Sequence, residues 1–223
     1  MSIQENWKKI NADIAEITDR DVVVMAVTKR SSPEEIREII SAGAVCLGEN
    51  RVDAAKIKFV GDGLYNEFSQ IKLHMIGHLQ TRKVRDAVKI FDCVQSVESE
   101  KTAREINKKC AAINKKIDVL IEVNVSGEIQ KAGIAPVNAP QFVEKILQLE
   151  NLNLKGLMTM APFTDNESII RSTFSGLREL RDSLSQKFGG DFFQTLSMGM
   201  SNDYKIAVEE GSTMVRIGTA LFN

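Results

Sequence analysis

Lys29 directly follows the apolar run Val22-Val23-Val24-Met25-Ala26-Val27, apart from Thr28, and precedes a helix start at Ser32-Pro33-Glu34-Glu35. An ammonium at the mouth of a buried strand loses hydration, its pKa falls, and the free amine can condense with a carbonyl as a Schiff base. By position alone the same residue also reads as a surface lysine opening a loop. Its chemistry therefore depends on which residues stand near it.

Two later segments offer partners. After Leu196 the chain reads Ser197-Met198-Gly199-Met200-Ser201-Asn202-Asp203, and after Val215 it reads Arg216-Ile217-Gly218-Thr219-Ala220. Small residues let backbone N–H groups approach an anion closely, Ser201 can donate its hydroxyl, and a following helix would aim its positive end at the same place. Both segments have the makings of a phosphate site. The plainer alternative is that Gly199 and Gly218 permit turns while Ser201 caps a helix over 203–210. Arg216 alternates with Val215 and Ile217, so it should share the inner face of its strand with Met214. A guanidinium buried there needs a partner: either a structural carboxylate or an unprotonated ring nitrogen of a ligand, because arginine does not surrender its own proton.

His74 and His78 stand four residues apart, a spacing that on a helix would place two imidazoles on one face. Their run reads as strand then turn, the adjacent glutamate of a metalloprotease is missing, and no third ligand is evident, so no metal site is expected. His78, at the strand end, should line a pocket or make a structural hydrogen bond.

These residues need elements to position them. Short β-rich runs at 22–27, 44–47, 73–77, 92–95, 118–125, 154–158, 194–197 and 213–217 alternate with longer charged, amphipathic segments. That alternation implies parallel strands joined by crossover helices, and eight such units can close a (β/α)8 barrel. An open doubly wound sheet is the competing arrangement. Ser32 with Glu35 resembles a capping box, Pro33 fits the first helical position, and Ile36, Ile39 and Ile40 form an apolar stripe. Helices are also expected over 98–113, from Pro140 onward, and over 167–187. The segment 3–17, with Ile3, Trp7, Ile10, Ile14 and Ile17 on one face, is expected to cover the wall that a short final helix leaves bare. In a barrel the working residues sit at the C-terminal strand ends, where Thr28-Lys29, Gly48-Glu49-Asn50 and Gly77-His78 also fall.

Composition limits the function classes. The chain has 223 residues, 43% hydrophobic and 26% charged, which suits one domain with a sizeable core. Lys plus Arg (29) nearly balances Asp plus Glu (30), giving a net charge of −1 and no electrostatic reason to expect nucleic acid or an anionic membrane as partner. No apolar run approaches the roughly 20 residues of a membrane span, and the polar start lacks a signal peptide's apolar region, so a cytoplasmic protein is expected. Cys46, Cys93 and Cys110 are odd in number and widely spaced, which reads as small core residues in a reducing compartment.

Taken together, Ala26-Val27-Thr28-Lys29, Gly48-Glu49-Asn50, His74-Met75-Ile76-Gly77-His78-Leu79-Gln80, Gly156-Leu157-Met158-Thr159-Met160, Leu196 to Ser201 and Gly211 to Thr219 closely resemble the pyridoxal phosphate homeostasis proteins, the YggS/PROSC family. The resemblance implies a single pyridoxal phosphate-binding (β/α)8 barrel over residues 1–223, like the N-terminal domain of alanine racemases, holding pyridoxal 5'-phosphate on Lys29. Ser201, Gly218 and Thr219 match its phosphate-binding positions, with Ser197 and Met200 in the same loop. Arg216 matches the arginine facing the pyridine nitrogen, and Asn50 and His78 match pocket-lining positions. The chain departs from the family at Gln80-Thr81-Arg82-Lys83, where an Asn-Lys pair is usual, and at Phe222-Asn223, where glycine normally follows phenylalanine.

The resemblance also points to vitamin B6 and amino-acid homeostasis without an established reaction. An arginine at the ring nitrogen disfavours the pyridinium that best stores carbanion charge, and racemisation needs a second base, which alanine racemases obtain from an added domain and a partner subunit. A non-enzymatic, monomeric holder of the cofactor is therefore expected, serving apo-enzymes that receive it. The alternative is a weak amino-acid racemase or another barrel-type pyridoxal phosphate enzyme.

Overall fold

A computed structural model describes all 223 residues. The strands are β1 Val23–Val27, β2 Cys46–Glu49, β3 Lys72–Met75, β4 Cys93–Val97, β5 Ile117–Glu122, β6 Leu152–Met158, β7 Thr195–Met200 and β8 Met214–Ile217. They pair in parallel and in sequence order, and β8 returns to β1, so the sheet is a closed (β/α)8 barrel rather than the doubly wound alternative. Parallel neighbours need a crossover after each strand, and the amphipathic segments supply it. The helices are α1 Ile3–Ile17, α2 Pro33–Ser41, α3 Val52–Ala55, α4 Leu64–Glu67, α5 Val84–Ile90, α6 Glu100–Ala111, α7 Ala139–Leu147, α8 Glu167–Phe188, α9 Tyr204–Glu209 and α10 Thr219–Phe222.

Local chemistry accounts for the helix starts. Ser32 Oγ accepts from Glu35 N at 3.3 Å while Ser32 N donates to Glu35 Oε2 at 2.7 Å, and Ile36, Ile39 and Ile40 are buried behind this capping box. A second box, Ser2 with Glu5, opens α1. That helix packs against α2, α9 and the one-turn α10, burying Ile10 and Ile14, and Asn6 Nδ2 donates to Leu221 O at 3.0 Å. It occupies the place expected for it, over the wall beside β8.

Side-chain alternation splits the core in two. Met25, Cys46 and Met214, with Ile76, fill one part of the barrel interior, and Cys93, Leu120 and Met158 fill another. Val24, Ala26, Leu47, Leu73, Val215 and Ile217 belong to the larger apolar shell between strands and helices. All three cysteines are free and buried, and burial pushes the Cys46 thiol up to about 12.

Several strand boundaries differ from the sequence expectation, those of β2, β5 and β7 among them. β2 is shifted toward Gly48-Glu49, so those residues belong to the wall and not to a loop. β5 ends at Glu122, three residues early, because the chain turns there and Val123 makes a single bridge to Ile134. β7 runs on to Met200 through a register shift against β8 between Ser197 and Met200. Gly199 permits this: its φ is +94°, and a Cβ there would lie 2.5 Å from Ala207 Cβ on α9.

Candidate functional site

At the C-terminal mouth of the barrel the site is built on β8. Arg216 is 4% exposed, and no carboxylate lies within ion-pair distance of it. Its Nη1 donates to Ser197 O at 2.7 Å and to Ser197 Oγ at 2.8 Å, and its Nη2 donates to Thr159 O at 2.9 Å. A guanidinium has five N–H groups, so these three bonds leave two for an acceptor outside the protein's own set. Burial lowers its pKa to about 10, against the pull of Glu122 and Asp203.

From Arg216 a directional chain of hydrogen bonds crosses the interior. Because Arg216 can only donate, Ser197 Oγ accepts from it and donates its own hydrogen bond to Gln95 Oε1 at 2.7 Å. That fixes the Gln95 amide, whose Nε2 then faces His74 Nδ1 at 2.9 Å. Burial holds the His74 imidazole down at about 4, which suits an unprotonated Nδ1 accepting at the end of the chain.

Beside this network the ends of β7 and β8 are tied together. Ser201 Oγ accepts from Gly218 N and from Ala220 N, both at 3.2 Å, so it bridges to the β8 turn and does not cap α9, which has no side-chain cap. A Cβ on Gly218 would stand 3.5 Å from Val27 Cβ, which places this turn against the end of β1, two residues before Lys29. The sequence-predicted residues Lys29, Arg216, Ser201 and Gly218 thus come from three adjacent strands, β1, β7 and β8.

Other expected residues are placed differently. Ser197 is wholly buried and its hydroxyl is engaged by Arg216 and Gln95, so it orients the guanidinium from within the wall. Met200 is 38% exposed at the end of β7, and its backbone N–H donates to Asp203 Oδ1. Asn50 and Thr219 are exposed at the rim. His78 is exposed too, with Nδ1 2.7 Å from Glu98 Oε1, so it makes the structural hydrogen bond expected as one of its two roles. Lys29 is exposed and has no side-chain partner, so the burial on which its expected loss of hydration depended is not found.

Several functional candidates escaped the sequence reading. Gln95 and Glu122 sit within apolar strand runs, and a polar residue in such a run is the signal that could have found them. Glu122 is 4% exposed on the inner face of β5 and makes no side-chain hydrogen bond; burial first, and Glu98 next, push its carboxyl up to about 7 against the pull of Arg216 and His78. Lys131 Nζ reaches Met160 O at 3.3 Å and pairs with Glu128 at 2.7 Å, which sets a second amine in the loop after β5.

Residues 1–223 match the family model of the alanine racemase N-terminal domain. A pyridoxal phosphate homeostasis protein of Aquifex aeolicus is 40% identical, covering 89% of this chain and 85% of its own, and one of Vibrio cholerae is 36% identical, covering 99% and 95%. This chain belongs to the pyridoxal phosphate homeostasis protein family. PipY of Synechococcus elongatus, solved with PLP bound, is similar with a TM-score of 0.89 at 29% identity, covering the whole of both chains. An alanine racemase of Clostridium difficile shares the fold at a TM-score of 0.78 and 18% identity, over 97% of this chain and 56% of its own. Against the family pattern, the departure at Arg82 lies in an exposed one-turn 3-10 helix, where its Nε donates to Gln80 Oε1 at 2.9 Å.

Proposed function

We propose that this member of the pyridoxal phosphate homeostasis family binds pyridoxal 5'-phosphate at the mouth of its barrel and holds it on Lys29 as a Schiff base. Its role is intracellular vitamin B6 and amino-acid homeostasis, by holding the cofactor and not by turning over a substrate. The observation that carries this reading is Arg216, a buried guanidinium with two undirected N–H groups beside three converging strand ends. The residues fit the group. Its phosphate would lie at the Ser201, Gly218 and Thr219 turn, its ring nitrogen would accept from Arg216, and its aldehyde would meet Lys29. Lys29 would hold the group through its Nζ, whose free amine would condense with the aldehyde to give a C=N bond, the carbonyl oxygen leaving as water.

Arg216 supports holding over catalysis. It donates without releasing its proton, so the ring nitrogen stays neutral, and the electron-withdrawing chemistry that bound pyridoxal phosphate supplies is weakest in that state. The exposed position of Lys29 leaves the covalent bond open to exchange with another amine. In this reading the recipients are apo-enzymes that require the cofactor, and the protein acts as a cytoplasmic monomer. The names of the relatives and the PLP bound to PipY support the same ligand.

Absorption after adding pyridoxal 5'-phosphate, followed by borohydride reduction and peptide mapping, tests the assignment: the reduced adduct should map to Lys29 and vanish in Lys29→Ala. Cα-hydrogen exchange of L-alanine in deuterated water separates holding from racemisation. Exchange well above that of the free cofactor would identify an enzyme.

A further inference from the structure

Glu49 sits on the outer face of β2, since Cys46 and Gly48 face the interior and Leu47 the helix shell. It is 0% exposed and its Oε2 has no hydrogen-bond partner, although it lies outside the ligand site. Its Oε1 accepts from Thr28 Oγ1 at 2.7 Å and from Lys58 Nζ at 2.9 Å, and Lys58 Nζ also donates to Thr28 O at 2.6 Å. Lys58 and Glu49 therefore grip both the hydroxyl and the carbonyl of Thr28, the residue immediately before Lys29.

The rest of Thr28 is equally fixed. Its N–H donates to Gly48 O at 3.0 Å, and its carbonyl also accepts from Ser31 N at 3.0 Å, closing the turn that carries Lys29. No polar atom of Thr28 is free, while Lys29 itself makes no side-chain bond. Burying this ion pair, 14% and 0% exposed, with one carboxylate oxygen unmatched is a poor source of stability, because well-packed apolar residues of similar volume often serve as well or better. Lys58 also lies in a π-helical turn, Lys56–Gly61, a rare conformation concentrated at functional sites. The cost, the irregular turn and the two bonds that end on Thr28 agree on one purpose.

We infer that Lys58 and Glu49 are positioning residues: they fix the backbone at Thr28 and so set the approach of the Lys29 amine to an aldehyde-bearing ligand, without touching that ligand. The inference rests on the reading of Lys29 as the covalent residue.

Wild type, Lys58→Met, Lys58→Arg and Glu49→Gln, each freed of ligand, would be titrated in parallel with pyridoxal 5'-phosphate and with pyridoxine 5'-phosphate, whose alcohol cannot condense. In Lys58→Met the rate of reducible bond formation at Lys29 should fall about tenfold, as expected for a misplaced reacting group. Pyridoxine 5'-phosphate, which reports phosphate and ring contacts alone, should bind within about twofold of wild type. Lys58→Arg should recover most of the rate, and Glu49→Gln should show a smaller loss with the same selectivity; these two variants carry the comparison if Lys58→Met does not fold. A Lys58→Met protein that captures the aldehyde at the wild-type rate overturns the inference alone. Equal losses for both ligands also overturn it, since they mark a merely structural pair. A wild type that forms no reducible bond at Lys29 overturns the underlying reading, and the inference with it.

Discussion

The interior and the rim of the same barrel mouth are built on opposite terms. Inside, Arg216, Ser197, Gln95 and His74 form one directional chain with every link between 2.7 and 2.9 Å, anchored by a residue that can only donate. At the rim, Lys29, Asn50 and Thr219 are exposed and their side chains make no hydrogen bonds. A connected buried network is rigid because leaving any member unpaired is costly, whereas an exposed amine on four rotatable bonds remains mobile. In the proposed reading, recognition of ring and phosphate would be preset, and the covalent step would be left to a side chain that can swing in and out. That division suits a protein whose ligand must arrive intact and later leave.

The most severe way to break the contrast is to remove what backs the interior. Deleting residues 1–18 strips Ile10 and Ile14 from the shell and takes Asn6 from the Leu221 carbonyl, behind the turn that carries Gly218. The loss should be about 3–6 kcal/mol from the two isoleucines alone, read as a lower urea midpoint. An unchanged melting temperature would show that α1 does not support the wall. Ser197→Ala removes the central hydroxyl with little change in volume, leaving an Arg216 N–H and Gln95 Oε1 without partners. It should cost about 1.5–3 kcal/mol, the range for hydrogen bonds to a charged group, and weaken ligand binding along with stability.

Glu122 sharpens the same contrast through pH. Its folded pKa of about 7 is above the ordinary carboxylate value of 4.5, so the folded state prefers the protonated carboxyl. Both states are protonated at low pH, and stability falls as pH rises from about 4.5 to about 7, where the unfolded chain ionises first. Glu122→Gln should therefore raise stability by on the order of 2 kcal/mol at pH 8 and by almost nothing at pH 4. His74 works in the other direction: its folded value of about 4 is below the ordinary 6.5, so stability is lost as pH falls between those values. Denaturant midpoints of wild type and Glu122→Gln across pH 4–8 measure the difference, and a gain that is flat with pH would contradict the placement of Glu122.

How much of this was legible in the sequence followed from periodicity and parity. Period-two alternation around Arg216 put it inside with Met214, and the strand-helix alternation gave the barrel, because both patterns are local consequences of where side chains point. The capping box at Ser32 was readable for the same reason. The path of β7 beyond Ser197 was not: a register shift at Gly199 depends on how closely α9 approaches, which is a tertiary fact. Nor were the exposure of Lys29, the use of Ser201 as a bridge to Gly218, or the grip of Lys58 on Thr28 through a π-helical turn. Each requires the distance between segments far apart in the chain, and local pattern is silent on that.

The smallest expected change in stability accompanies the largest expected change in chemistry. Lys29→Ala removes an exposed side chain without a partner, so its unfolding free energy should stay within about 0.5 kcal/mol of wild type. Reducible bond formation should disappear, yet the Ser201–Gly218 bridge and the Arg216 network do not depend on the amine and should still take the phosphate and ring. Titration with pyridoxine 5'-phosphate checks this directly: affinity close to wild type is expected, since that ligand never forms the covalent bond in either protein. A mutant that loses the noncovalent ligand as well would mean that Lys29 helps to shape the anion turn through Val27 and Gly218, and interior and rim would then be one cooperative unit instead of two.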